Sequence, residues 1–237
     1  MNPPVVPQLS KSPAQESALP LHAGLLLLTF STGLIDAVSF LGLGHVFTAN
    51  MTGNIVFLGF AVAGSPGLSI IRSILSLGMF LVGGVGGGRL GKAMATHPTS
   101  QWLVTAALTE AGLLFAAVLV AIGFDISSGQ PPSSLYAVIS LTALAMGLRN
   151  ATVRRLAVPD LTTTVLTLTL TGIAADSSLA GGVDPRLSRR LTSVGLMFAG
   201  AAAGALLLQF GLSVPLAVSG AVALISAALF SAGSPTD

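Results

Sequence analysis

The sequence lacks cysteine and has few charged and few aromatic residues, and each shortage excludes a class of function. Without cysteine, the chain forms no disulfide bridge and performs no thiol chemistry. Charged residues make up only 8% of the chain, whereas soluble domains average about 25%. The few basic residues are not interleaved with aromatic ones, so nothing indicates nucleic-acid binding. The three histidines have no metal-ligand spacing, and we expect neither a metal nor a cofactor.

Apolar residues dominate what remains. They make up 52% of the chain, and the mean hydropathy is +0.88, which predicts an integral membrane protein. A membrane-spanning helix needs about 20 apolar residues. Six runs satisfy this length, at residues 21–44, 67–90, 101–124, 133–152, 190–212 and 214–232. Two shorter apolar runs cover residues 52–64 and 163–175.

The chain also repeats itself. Residues 33–54 read GLIDAVSFLGLGHVFTANMTGN, and residues 147–169 read GLRNATVRRLAVPDLTTTVLTLT. The two segments match at an offset of 114, with one residue inserted in the second copy. We therefore predict a polar, disordered cytoplasmic tail at residues 1–20, a first membrane repeat at 21–124 and a second at 133–232. Duplicated halves of this kind are common in membrane transporters.

Two topologies fit these runs, because the short ones could be half-helices or, together with the polar residues before them, full spans. Six spans place nine of the ten Lys and Arg residues on the cytoplasmic side, together with both termini, and leave only Arg72 outside. Eight spans export several basic residues in either orientation. We therefore predict an all-α membrane protein of two tandem inverted repeats, each with three transmembrane helices and one re-entrant half-helix. The half-helices would begin at Thr52 and Thr163, with free N–H groups facing a shared cavity.

Two carboxylates lie inside apolar runs and are candidates for coupling to a proton or another cation. Asp36 shares a helical stripe with Thr29, Thr32 and Ser39, and a buried charge in a membrane marks a functional site by default. Asp36 could instead pair with Arg72 or cap a broken helix. Glu110 could be a second coupling residue or a structural partner of Arg72.

The polar residues around the half-helices are candidates for substrate binding. They offer neutral hydrogen-bond donors and acceptors, although threonine in a helix often bonds its own i−4 carbonyl instead. They are Asn50, Thr52 and Asn54 in the first repeat, and Asn150, Thr163, Thr164 and Thr167 in the second. The remaining notable residues have structural interpretations. We expect Gly83, Gly87 and Gly91 to pack helices closely, and Arg149, Arg154 and Arg155 to set the topology.

These motifs resemble those of the YoaK-like family of bacterial membrane proteins, which is described as a domain of unknown function. The resemblance covers roughly residues 20–232. Its strongest motif consists of Asp36, Phe47, Asn50, Met51, Thr52, Gly53 and Asn54. The resemblance implies a multi-pass protein of the bacterial inner (plasma) membrane and supplies no substrate.

The sequence favours a small secondary transporter or permease for a small polar or anionic solute, coupled to protons or cations through Asp36. A non-transporting scaffold or sensor is the main alternative. An intramembrane enzyme has less support, because the chain lacks HExxH and other catalytic motifs. The expected partners are the lipid bilayer and an unidentified solute, and homo-oligomer formation is left open.

Overall fold

The computed structural model describes residues 13–157, 166–183 and 186–233. Helices make up nearly all of this part of the chain, and it contains no β-strand. The helices are α1 (Pro13–Gly42), α2 (Met51–Val62), α3 (Ile70–Ala93), α4 (Thr99–Ala121), α5 (Pro132–Leu156), α6 (Leu166–Ala175), α7 (Leu187–Leu207) and α8 (Ser213–Ala232). Each corresponds to one of the eight apolar runs, so the predicted all-helical class is confirmed.

Length and composition separate the helices into two groups. Five segments are long and apolar enough to cross a membrane: Pro20–Gly42, Ile70–Ala93, Thr99–Ala121, Leu187–Phe210 and Ser213–Ala232. Helix α5 has a comparable length of 25 residues but carries three arginines. Helices α2 and α6 have 12 and 10 residues. They therefore extend about 18 and 15 Å, well short of the hydrocarbon core of about 30 Å.

Helix α1 begins earlier than the sequence analysis predicted. Residues 13–20, which were assigned to the disordered tail, are helical, whereas residues 1–12 lie outside the described part. The segment contains the good helix formers Ala14, Gln15, Glu16 and Ala18. Since adding residues to an existing helix is far easier than nucleating one, the apolar run that follows propagates the helix toward its N-terminus.

Helices α1, α4, α5 and α8 form the centre of the molecule, and α3 and α7 lie outside it. In the apolar 18-residue window of each span, 67% of α1 is buried, against 22% of α3 and 17% of α7. The central core is built from large apolar side chains of all four helices, among them Leu34, Leu114, Ile139 and Leu216. The outer helices expose many large apolar residues, such as Leu81 and Phe198.

Each outer helix belongs to one half and packs against the first helix of the other half. In the contact of α3 with α5, a Cβ added to Gly83 would lie 2.1 Å from the carbonyl oxygen of Leu144. In the contact of α7 with α1, a Cβ added to Gly200 would lie 2.0 Å from the carbonyl oxygen of Phe30. Glycine therefore permits both close crossings, and the predicted packing role of Gly83 is confirmed.

Contacts along the helices fix their relative directions. Gly83 lies against Leu144 and Gly87 against Leu148, so α3 and α5 run parallel. By the same reasoning, the contacts of Gly200 with Phe30 and of Gly204 with Leu34 make α7 parallel to α1. Contacts between the two crossings show that α5 runs opposite to α1. Leu25 near the start of α1 shares a cluster with Val153 near the end of α5, and Leu34 further along α1 shares another with Ile139 near the start of α5. The ion pair of Arg149 and the contact of Arg155 with Trp102 orient α5 against α4 in the same way.

Candidate functional site

Asp36 holds the irregular segment between α1 and α2, residues 43–50, which we name the buried loop. Oδ1 of Asp36 accepts the backbone N–H groups of Ala49 at 3.0 Å and of Asn50 at 3.2 Å. Asp36 lies six residues before Gly42, the last residue of α1, which corresponds to about 9 Å along the helix. The chain therefore leaves α1, turns back, and starts α2 beside a deeper level of α1.

Helix α2 then runs beside the end of α1 in the same direction. Its first turn is capped by Asn50, whose side-chain oxygen accepts the N–H of Gly53 at 3.3 Å. Further along α2, the ring of Phe57 lies 5.8 Å from that of Phe40, four residues beyond Asp36 on α1. Both helices thus advance together from the level of Asp36 toward the C-terminal end of α1.

Asn54 fastens the buried loop to α3. Its side-chain oxygen accepts the N–H of Phe47 at 2.9 Å, and its amide donates to Oγ of Ser76 at 3.2 Å. The Ser76 hydroxyl donates to the carbonyl oxygen of Phe47 at 2.6 Å. Asn54 is fully buried. Nearer the start of α3, Nη1 of Arg72 donates to the carbonyl oxygen of Gly44 at 2.7 Å.

The predicted substrate-binding residues of the first half therefore have two different environments. Asn50 and Thr52 are exposed, whereas Asn54 is enclosed and bonded within the protein. The expected free N–H groups at the start of α2 need correction. The Gly53 N–H is bonded to Asn50, and Asp36 already accepts the N–H groups just before the helix.

In the second half, Thr163 and Thr164 lie outside the described residues. Thr167 is exposed in the first turn of α6, and its carbonyl oxygen accepts the hydroxyl of Thr171 at 2.9 Å. The amide of Asn150, which occupies the position of Asp36, donates to the carbonyl oxygen of Met146 at 2.8 Å. The structure thus does not bring Asn150 and Thr167 together with the first-half candidates in any described contact.

Glu110 is paired with Arg149, not with Arg72 as the sequence analysis had considered. Nε of Arg149 donates to Oε2 of Glu110 at 2.9 Å, and Nη2 donates to Oε1. The other N–H groups of Arg149 bond α1: Nη1 donates to the Leu28 carbonyl oxygen and to Oγ1 of Thr32, each at 2.9 Å, and Nη2 donates to Oγ of Ser31 at 3.0 Å. All five guanidinium N–H groups therefore have acceptors.

The sequence analysis treated Arg149 as a topology determinant and did not predict this ion pair. The side chains of Arg149 and Glu110 are 1% and 2% exposed. A sequence signal for the pair existed, because each residue falls inside an apolar run and a buried charge requires a partner. The second half contributes the arginine, and the first half contributes every acceptor, so this single side chain joins the two halves.

The ion pair has no repeat-related copy. Shifted by 114, Arg149 corresponds to Ile35, which is 1% exposed. The buried faces of α4 and α8 match at a shift of 113, which sets Glu110 against Ala223, 0% exposed. The halves therefore share their packing but not their buried charges.

A pocket beside the ion pair is lined mainly by apolar side chains. Leu25, Leu103, Val153 and Phe230 line this pocket, together with Glu110 and Arg149. This pocket is not at the start of α2. Across the described ranges, no three His, Asp or Glu side chains cluster closely enough to hold a metal ion.

Comparisons with known proteins agree with the membrane architecture. Residues 24–229 match the family described as "Protein of unknown function (DUF1275)". The chain is 36% identical over 156 residues to the UPF0700 transmembrane protein YoaK of Bacillus subtilis (strain 168), an alignment covering 65% of this chain and 66% of that protein. The aligned region thus covers slightly under two thirds of that relative's length. No solved structure matches.

Proposed function

The chain belongs to the DUF1275 family of multi-pass membrane proteins, and we propose that it is a small permease or secondary transporter for a small polar or anionic solute. The observation that carries this proposal is the buried loop, which Asp36 holds at a depth inside the protein where α2 begins. Irregular backbone at membrane depth is tolerated where it is enclosed by protein or lines a water-filled path. Discontinuous helices of this kind form the binding sites of many transporters.

The proposed topology has six spans and two re-entrant helices in inverted repeats. Three observations support it: α2 is too short to span, it advances alongside the end of α1, and α5 runs opposite to α1. If α2 returns to the side on which α1 ends, the loops before and after α2 lie on the same face of the membrane.

Because the chain contains no cysteine, single introduced cysteines can test this topology directly. We expect His45→Cys and Ser65→Cys, on either side of α2, to react with an impermeant maleimide from the same face of intact cells. His97→Cys, in the connection between α3 and α4, should react only from the opposite face. Labelling of His45→Cys and Ser65→Cys from opposite faces would refute the re-entrant arrangement and support eight spans.

Asp36 is the proposed coupling residue. Its carboxylate accepts two backbone N–H groups of the buried loop, and a protonated carboxyl group is a weaker acceptor than a carboxylate. Protonation would therefore loosen the start of α2 and leave N–H groups for an incoming solute. The loop could then exchange its bonds with Asp36 for bonds with the solute, which links solute movement to proton binding.

Flux measurements in reconstituted vesicles test this coupling. Small carboxylates, phosphate and neutral polar solutes are supplied with and without a pH gradient, and uptake is compared between the wild type, Asp36→Asn and Asp125→Asn. Asparagine keeps the shape and an acceptor oxygen but removes the charge, so Asp36→Asn should abolish the response to the gradient. Asp125, which is exposed in the connection between α4 and α5, is the matched control. A gradient response unchanged in Asp36→Asn would refute the coupling role.

One observation favours the alternative of a non-transporting scaffold or sensor. The pocket beside the ion pair is lined mainly by apolar side chains, and the two charged residues in its lining form an ion pair in which every arginine donor is satisfied. A scaffold or sensor would show no uptake of any of these solutes in the reconstituted vesicles, whichever way the protein is inserted. Catalysis has no support from a recognised motif and is not part of the proposal.

A further inference from the structure

Arg72, in the first turn of α3, contacts the buried loop at Gly44, and most of its N–H groups make no hydrogen bond to the described residues. Nη1 donates to the carbonyl oxygen of Gly44 at 2.7 Å. Nε is buried and has no hydrogen-bond partner within residues 13–157, 166–183 and 186–233. Among the described residues, no carboxylate lies within salt-bridge distance of its guanidinium. The residue is half-buried, so water does not fully solvate the charge.

Such an arrangement is costly unless an acceptor is supplied. A guanidinium stays charged at all physiological pH values and presents five N–H donors in one plane. A partly buried cation without a counter-charge is unfavourable, particularly in a membrane. Arg149 shows how this chain treats a buried arginine, since every N–H group there has an acceptor. Arg72 differs because the described part of the chain provides one carbonyl oxygen and no anion.

The loop beside Arg72 is shaped to let the guanidinium approach. Gly44 has a φ of +80°, and a Cβ built on it would lie 1.8 Å from Nη1 of Arg72. Any side chain at this position would therefore displace the arginine. The same loop contains a second unused group: the hydroxyl of Thr48, which is fully buried, finds no partner in the described ranges. Asp36 forms no ion pair with Arg72; its Oδ1 instead accepts the N–H groups of Ala49 and Asn50, and Arg72 donates to the Gly44 carbonyl oxygen.

We propose that Arg72 binds an oxyanion, a carboxylate or phosphate group, at the mouth of the buried loop. The planar fork of Arg72 suits bidentate contact with such a group. This inference rests on the proposed transport function when the oxyanion is taken as part of the solute, and it then assigns the solute to the anions. The headgroup phosphate of a lipid has the same chemistry.

The repeat extends the inference to the second half. Arg72 is the third residue of α3, and Arg189 is the third residue of α7. In an inverted repeat these arginines would lie near opposite faces of the membrane. Each would then meet an anion arriving from its own side, as an alternating-access cycle requires.

Binding is tested on the full chain in a neutral detergent, without flux. We expect inorganic phosphate or acetate, at constant ionic strength maintained with chloride, to raise the unfolding temperature in a saturable way. In Arg72→Gln the half-saturating concentration should rise at least about tenfold, because a charge-assisted bidentate contact is lost. Arg72→Lys keeps the charge and a donor to Gly44 but loses the fork, and should bind with intermediate affinity. Arg154→Gln, at an exposed arginine, is the matched control and should respond like the wild type.

A separate experiment tests whether the oxyanion is a lipid headgroup. It compares stabilisation by phosphatidylglycerol with stabilisation by phosphatidylcholine in mixed micelles. Saturable stabilisation by phosphatidylglycerol alone, weakened in Arg72→Lys and lost in Arg72→Gln, would support the oxyanion site and assign it to lipid. Equal half-saturation in the wild type and Arg72→Lys, or no response to any of the probes, would overturn the proposal. Anion binding in a protein that carries no flux would refute the permease and leave this site intact.

Discussion

The two halves of the molecule are alike in how their helices cross and unlike in where they bury charge. Each outer helix uses glycines to approach the first helix of the opposite half, and the contacts recur at repeat-related positions. The carboxylate that holds the buried loop occurs only in the first half, where Asp36 stands opposite Asn150. The arginine that joins the halves occurs only in the second, where Arg149 stands opposite Ile35.

This difference separates the requirements of packing from those of function. Close backbone contact between helices tolerates only very small side chains, so both copies retain glycine there. A buried charge is costly and needs its own set of partners, so a second copy has no packing reason to keep it. Where one half keeps a charge that the other lacks, the charge therefore indicates a specialised role.

The largest effect is expected from removing one member of the buried ion pair. Glu110→Ala leaves Arg149 charged and enclosed, and should destabilise the protein by about 3–5 kcal/mol. Unfolding of the purified protein in detergent measures this loss, with Arg154→Ala as the exposed control. The double variant Glu110→Leu with Arg149→Met resembles the apolar pair in the other half, and should recover most of the stability. A Glu110→Ala protein as stable as the wild type would show that the pair does not join the halves.

A smaller effect is expected at the repeat-related position where the first half has an ionisable residue, Asp36, and the second half has Asn150. Asp36→Ala leaves the N–H groups of Ala49 and Asn50 without their acceptor, and should cost about 2–3 kcal/mol. Asn150→Ala is the change at the repeat-related position and should cost less, about 1 kcal/mol, because a neutral amide forms weaker hydrogen bonds than a carboxylate. Hydrogen exchange of the Ala49 and Asn50 amides should increase in Asp36→Ala. Equal losses in the two variants would mean that the buried loop does not depend on the charge.

The similarity of the two crossings can be tested with added methyl groups. A Cβ on Gly147 would lie 2.0 Å from the Phe80 carbonyl oxygen, and one on Gly33 would lie 2.1 Å from that of Met197. Gly147→Ala and Gly33→Ala should therefore each destabilise the protein by about 1–3 kcal/mol. Gly86, which has open space around it, is the control, and Gly86→Ala should leave the unfolding temperature nearly unchanged. Clearly unequal effects at Gly147 and Gly33 would contradict the equivalence of the crossings.

The smallest effect on stability is expected at Asp125, in the connection between the halves. Hydrogen bonds from the hydroxyls of Ser128 and Ser127, at 2.7 Å each, lower the pKa of Asp125 from 3.8 to about 2. A carboxyl group with a lowered pKa stabilises the folded state above its ordinary pKa, and this contribution is lost as the pH falls from 3.8 toward 2. Because the side chain is exposed, we expect only a slight drop in unfolding temperature over this window. Asp125→Asn should remove this drop, and an unchanged acid profile would show that these bonds do not persist in solution.

Much of the fold was predictable because long apolar runs have few alternatives to a helix in a membrane protein. The run at 214–232 became α8, Ser213–Ala232, and the short run at 52–64 became α2, Met51–Val62. The close packing of Gly83 and Gly87 also followed from their spacing. These features depend on local composition, which the sequence displays directly.

The partners of the buried charges were harder to predict. Glu110 and Arg149 lie 39 residues apart, and nothing local distinguishes Arg149 from the exposed Arg154 except its position inside an apolar run. For Asp36, the alternative of capping a broken helix agrees with its bonds to Ala49 and Asn50. Whether it also couples transport stays a prediction, because a contact in one conformation does not reveal how the contact changes in another.

The one-sided ion pair limits how the present halves could exist as separate chains. Two copies of the first half assembled with each other would enclose two Glu110 carboxylates and no matching arginine, and two copies of the second half would enclose two Arg149 side chains and no acid. Expressed as separate polypeptides, the halves should therefore form heterodimers and reject like-with-like pairs. Neither half, as its sequence now stands, supplies both members of the pair, so each depends on the other for a counter-charge.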